Sequence, residues 1–223
     1  MPAAPAPPHL TASFWRTRRS AAVAGIVFAV LLLTAMTMMR LALADDSLTT
    51  LQSDAASRRL VGWALNLVPF AGIAFLWFIG VVREQLGEVE DRLFSTVFLG
   101  SGLLFLAMLF TGAASSTGIL ELLARPDPDS AVWEFGRDNT QTLVSVYAMR
   151  MAAVFTLSVS TVGIRTGAMP RWVSYLGYAA ALVLLVAAGE NKWTQLVFPL
   201  WVLLVSVVIL VTRPPDRTAA DTA

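Results

Sequence analysis

Six long apolar stretches, over residues 20–44, 60–82, 93–114, 142–164, 172–188 and 194–212, run through this chain without one Asp or Glu inside any of them. A bilayer's hydrocarbon core is about 30 Å thick and takes about 20 helical residues to cross, so each stretch is long enough to span it, the fifth only just. A strand of a membrane barrel would alternate polar and apolar residues over about ten positions, whereas these runs are continuously apolar. The expected fold is therefore all-α, a polytopic transmembrane helix bundle with six spans. Composition agrees: of 223 residues, 57 % are hydrophobic and only 14 % charged, too apolar for a soluble domain of this size.

The same composition removes several kinds of chemistry. With no cysteine there is no disulfide framework, thiolate metal site or thiol nucleophile. The sole histidine, His9, lies near the N-terminus, so no histidine-based metal centre or Ser–His pair is expected. Aspartyl chemistry within the membrane needs two carboxylates at depth, and the spans hold none. No glycine-rich phosphate loop is present. A net charge of +1 provides no field for nucleic acid. The expectation is a non-enzymatic protein without cofactors, whose partners are membrane lipids and a membrane protein or a second copy of the chain.

Residues 1–19 begin with a Pro- and Ala-rich segment followed by Arg16, Arg18 and Arg19, which reads as a disordered cytoplasmic tail. Residues 20–212 form the bundle, and 213–223, opening with Arg213, Pro214 and Pro215, form a second cytoplasmic tail. Positively charged loops resist translocation. With both termini inside, nine arginines (Arg16, Arg18, Arg19, Arg83, Arg92, Arg165, Arg171, Arg213, Arg217) face the cytoplasm, against five basic residues outside (Arg58, Arg59, Arg125, Arg137, Lys192). Ala42, Leu43 and Ala44 resemble a signal-cleavage site, but the apolar run before them is long and Arg40 interrupts its end, so a retained first span is expected. The inner loop 83–92 carries Glu84, Glu88, Glu90 and Asp91, a charged turn or, less simply, a set of oxygen ligands for a hard cation. Residues 121–141 read as the longest connection, with Asp127-Pro128-Asp129 as an extended turn and Trp133 at the interface.

Arg150 is the one charge well inside a span. Its backbone lies roughly 5 Å from the centre of the fourth span at about 1.5 Å per residue, where facing lipid is unfavourable by a few kcal/mol. Tyr147, Arg150, Val154, Ser158, Thr161 and Arg165 follow one helical face, so that stripe is expected to turn inward. Its partner would be Asn66, a carbonyl freed by a proline, a loop acid such as Glu121 or Glu134, or a bound anion. Arg150 thus reads either as an anion site, since guanidinium pairs with phosphate and carboxylate, or as a structural arginine satisfied by its neighbours. Arg40, near a span end, reads as a snorkelling residue. Asn66 and Pro69 share the second span, where proline removes one backbone hydrogen bond. Gly100-Ser101-Gly102, and Ala152, Thr156 and Ser160, are spaced to let helices approach closely.

The segment from Asn66 to Gly80, with Arg83-Glu84-Gln85-Leu86-Gly87-Glu88 and Phe98-Leu99-Gly100-Ser101-Gly102-Leu103, resembles a family of uncharacterised actinobacterial multi-span integral membrane proteins. Tyr147-Ala148-Met149-Arg150-Met151, Gly167-Ala168-Met169-Pro170-Arg171-Trp172 and Phe198-Pro199-Leu200-Trp201 are similar to the same family. The resemblance implies a bacterial plasma membrane location and carries no activity or site residues. The leading expectation is a lipid- or partner-binding membrane protein. The alternative is a small-solute transporter or channel in which Arg150, Tyr147, Ser158 and Asn66 line an anion path.

Overall fold

The apolar stretches become helices because nothing else satisfies their backbone groups internally. A computed structural model of the chain describes residues 8–43, 48–86, 92–167, 169–191 and 193–211. In chain order these hold α1 (Pro8–Ala42), α2 (Leu48–Ser53), α3 (Ala55–Leu86), α4 (Arg92–Leu123), α5 (Ser130–Thr142), a π-helical segment (Leu143–Ala148), α6 (Met149–Thr166), α7 (Arg171–Val186), a 3-10 turn (Thr194–Leu196) and α8 (Val197–Val211). There is no strand among the described residues. Five helical stretches are long and apolar enough to cross a membrane, and α7, at 16 residues, is a shorter apolar helix.

Several boundaries differ from expectation. The disordered tail expected over 1–19 is corrected from Pro8 onward, where α1 begins. Proline fits a helix's first turn because its missing N–H would have no partner there. The tail 213–223, the acids Glu88, Glu90 and Asp91, and Lys192 lie outside the described residues. The long connection expected over 121–141 shrinks to the stretch 124–129. α4 continues through Glu121 to Leu123, and α5 starts at Ser130. Asp129 caps α5, its Oδ1 accepting from the amides of Ala131 at 2.8 Å and Val132 at 3.4 Å. The cap holds two donors that a helix start leaves orphaned. α5, the π segment and α6 then run on continuously to Thr166, where Gly167 ends the helix with φ +66°.

The long helices pack in a closed ring: α1 against α3, α3 against α4, α4 against α6, α6 against α7, α7 against α8, and α8 back against α1. Phe28, Phe75, Phe78, Phe98, Phe105, Phe155 and Phe198, all fully buried, fill its centre. Phe75 is the hub, with ring centroids 4.6 Å from Phe28, 5.1 Å from Phe155, 5.3 Å from Phe105 and 5.8 Å from Phe198. Edge-on and tilted rings at these distances interlock a core more specifically than aliphatic chains. Around it, small residues set the helix spacing as expected. Ala152, Thr156 and Ser160 are buried, and a methyl added at Gly177 would collide with Ser160 Oγ. At Gly102 a methyl would sit 2.7 Å from Ile79 Cδ1, whereas Gly100 faces open space.

Candidate functional site

Above the phenylalanine core the ring does not close. α1 turns Leu32, Ala35, Met36, Met39, Arg40 and Leu43 toward the interior, a stripe spaced by three and four residues. α3 adds Arg58, Val61, Ala64, Leu65 and Val68, and α4 adds Leu109, Gly112, Ala113, Ser116 and Leu120. Between them is a cavity of about 510 Å³, within the roughly 300–1,000 Å³ of ligand pockets. From Leu32 to Arg40 it runs about 12 Å along α1, at 1.5 Å per residue. One turn past Leu32 comes Phe28, and one turn past Leu109 comes Phe105. The buried rings therefore lie directly beneath the cavity.

α5 closes the fourth side. Its composition is polar, yet Trp133, Arg137, Thr140, Gln141 and, one turn on, Val144 all line the cavity, again at helical spacing. Trp133 is 6 % exposed and packs with Leu51, Leu122 and Leu123, so it anchors α5 to α2 and α4 rather than dipping into the membrane interface. The π segment widens the helix at the cavity wall, a distortion frequent at functional sites. Within it Ser145 is buried and its Oγ accepts from Gln195 Nε2 at 2.6 Å, tying the 3-10 turn to the opposite wall. Gly112 lets α4 come this close, since a methyl there would meet Val144.

Three arginines from three helices line the cavity, all toward one end. Arg40 stacks 4.5 Å over the Trp193 ring. Arg58 donates from Nη1 to the carbonyls of Leu51, at 3.0 Å, and of Gln52. Arg137 pairs with Asp138 at 3.3 Å on the outside. No carboxylate is among the described residues that line the cavity. Thr140 Oγ1, one turn from Arg137 toward the phenylalanine core, is buried without a protein hydrogen-bond partner. At the same end Asp54 starts α3, accepting from Ser57 Oγ at 2.6 Å and the Ala56 amide at 2.9 Å. These hydrogen bonds, Ser57's foremost, hold its carboxyl below the ordinary aspartate value.

The residues singled out in the sequence lie elsewhere. Arg150, Tyr147 and Arg165 are exposed on the outer face of the helix, which corrects the expectation that they turn inward, whereas Thr161 of the same stripe is half-buried, its hydroxyl accepting from Tyr178 at 3.0 Å. The packed side of α6 is taken by Met149, Ala152, Ala153, Phe155, Thr156, Val159 and Ser160, already close-packed against the neighbouring helices, and the guanidinium is on the open side. Ser158 is buried, and its hydroxyl donates to the Val154 carbonyl at 2.9 Å. Asn66 is exposed, its amide donating to the Gly62 carbonyl at 2.9 Å. It lies with Pro69 in a second void between α3 and α4. That void shares Leu65, Val68, Ala113 and Leu120 with the main cavity, so one layer of side chains separates the two. Among described residues no group of His, Asp and Glu is arranged to hold a metal ion. From sequence, Arg58 and Arg137 read as charges on the outer side and Arg40 as a snorkelling residue at a span end. The available signal was the helical spacing that puts each on the same face as an apolar stripe.

The fold and cavity define a class, an all-α bundle with helices able to cross a membrane and an apolar cavity rimmed by arginine. Beyond that class, the chain matches no family model, no curated protein and no solved structure. The resemblance to actinobacterial membrane proteins thus rests on the quoted residues alone.

Proposed function

We propose that this chain is a non-enzymatic integral membrane protein of a bacterial plasma membrane that binds a lipid-like molecule within its bundle, with both termini cytoplasmic. The observation that carries this reading is the cavity of about 510 Å³ between α1, α3, α4 and α5. Its length along α1 is comparable with one leaflet of the hydrocarbon core, about 15 Å. Its walls are mainly Leu, Met, Val and Ala, with Arg40 and Arg58 at one end and Thr140, Gln141 and Ser145 along the wall that α5 and the π segment form. On the charge count above, that end faces away from the cytoplasm. The phenylalanine core beneath favours binding over passage of a solute, the alternative reading.

Native mass spectrometry of the protein in mild detergent tests this. Wild type is expected to retain a lipid-sized adduct, and Ala113→Phe, which places a ring in the cavity, to lose it. A wild-type protein that retains nothing and takes up no alkyl-chain probe would refute the reading.

A further inference from the structure

The outer face of α3 carries a polar side chain where lipid tails offer it nothing. Asn66 is exposed and lies three residues from the middle of the apolar stretch Ala55–Arg83, about 4.5 Å along the axis. Its Nδ2 donates once, to the Gly62 carbonyl at 2.9 Å, which leaves the second amide proton and Oδ1 to be satisfied from outside the chain. An amide with one donor and one acceptor to spare is complementary to an identical amide. The same face holds Trp63, Phe70, Ile73, Trp77 and Gly80, all exposed and, with Asn66, spaced alternately by three and four residues. That alternation, about 3.5 residues on average, is the seam between two helices that lie nearly parallel. Gly80 stands on the seam with open space around it, since a methyl there meets no atom of the described residues within 4 Å. Glycine weakens a helix interior and no neighbour in the fold requires it here, whereas between membrane helices it lets two backbones approach.

The membrane decides how two such faces can meet. Copies of one chain insert with the same orientation, so a two-fold axis along the bilayer normal sets α3 beside α3 of a second copy, parallel and in register. Each seam residue then faces itself, and the two Asn66 amides can each donate to the other's Oδ1. At the same level the groove between α3 and α4 exposes Asn66, Pro69, Phe110, Ala114 and Thr117, a hollow that can receive a side chain from the second copy. We propose that the chain forms a two-fold dimer in the membrane through the outer face of α3, with Asn66 paired to Asn66 of the second copy and Gly80 at a close approach of the two helices. The lipid cavity uses the opposite side of α3, through Val61, Ala64 and Val68, so the dimer stands or falls independently of the lipid-binding reading.

The chain has no cysteine, so single introduced cysteines report contacts directly. Full-length Ile73→Cys, reconstituted in phosphatidylcholine vesicles and oxidised with copper phenanthroline, is expected to form a disulfide-linked dimer. Leu182→Cys, on the exposed face of α7, is not. Single-molecule photobleaching of labelled protein over a range of protein-to-lipid ratios gives the dissociation constant. Asn66→Leu should raise it roughly 5–30-fold, the range that polar contacts between membrane helices reach. Asn66→Gln, which can still pair, should keep most of the affinity. Gly80→Leu should weaken the dimer by about tenfold without lowering the melting temperature of the monomer, because nothing within the chain crowds that position. A dimer that does not cross-link at Ile73→Cys, or an Asn66→Leu variant that dimerises like wild type, would overturn the α3 seam. A stoichiometry above two would overturn the two-fold arrangement. Protein that stays monomeric at every ratio would overturn the dimer itself and leave this face to lipid or to a different membrane protein.

Discussion

Thr140→Val separates what the cavity does for the protein from what it does for a ligand. The two side chains have nearly the same shape and branch at the same carbon, and their helix propensities are close. The substitution therefore removes one hydroxyl and little else. In the folded protein Thr140 Oγ1 is buried with no protein hydrogen-bond partner. Burying an unpaired hydroxyl is unfavourable by about 1–3 kcal/mol, so the valine variant should be more stable than wild type by at least about 1 kcal/mol when no ligand is bound. For a chain of this length that corresponds to a rise of roughly 2–4 °C in Tm. Delipidated wild type and variant, compared by thermal unfolding in the same detergent, give the number directly. The same pair compared with lipid bound in the cavity gives its counterpart: a polar ligand atom within reach of Thr140 offers the hydroxyl a partner, so the advantage of valine should shrink or reverse. If the delipidated variant melts at or below the wild-type temperature, the hydroxyl already has a partner and Thr140 is a structural residue. A gain that persists unchanged with lipid bound would place the polar atoms of the ligand away from Thr140.

Four further outcomes follow from the geometry. Asp129→Ala should destabilise α5 by about 1 kcal/mol through loss of its cap, read as faster amide exchange at Ala131 and Val132, and should weaken ligand binding because α5 carries Trp133, Arg137 and Thr140. Arg150→Leu should raise the yield of inserted, folded protein, since the swing on insertion scales is about 3 kcal/mol in favour of leucine; a fall in yield would show that Arg150 has an inward partner. Gly177→Ala should destabilise by roughly 1–3 kcal/mol by overpacking against Ser160 and Trp201, and Ser160→Ala should recover part of that loss, which a double-mutant cycle measures as a non-additive term. Asp54 is held below its ordinary value of 3.8, so its contribution to the start of α3 is complete above that pH and is lost as the pH falls through the lower folded value; Asp54→Asn should flatten this acid-side decline in thermal stability.

How much of this was legible in the sequence depended on the length scale of the signal. The membrane-spanning helices were readable because each needs about 20 residues of one character, and α3, α6 and α8 each contain most of the stretch expected for them. The helix extensions were not, because residues 115–123 and 130–142 are polar enough to pass for a loop when composition is averaged. They are helical because one face of each is buried: Ser116, Leu122 and Leu123 on α4, and Trp133 on α5. An amphipathic face inside a polar segment is a weak signal beside a continuous apolar run.

Arg150 shows why the candidate site was harder still to find. A charge at membrane depth does argue for a partner, but it fixes no direction. On α6 direction is set by packing: Met149, Ala152, Ala153, Phe155, Thr156, Val159 and Ser160 are buried on the side that meets its neighbours α4 and α7, and a guanidinium there would displace a close-packed core. Arg40, Arg58 and Arg137 obey the opposite constraint. Arg40 and Arg58 sit near helix ends and Arg137 on the polar α5, all three half-buried, and each shares its helix face with residues that line the cavity. A charge in a membrane protein is placed most cheaply where its own solvation survives, and a helix end meets that condition better than the middle of a span. The arginines that line the cavity are therefore the ones the sequence makes least conspicuous, Arg40 and Arg58 at helix ends and Arg137 within a polar helix, where a charge is already tolerable.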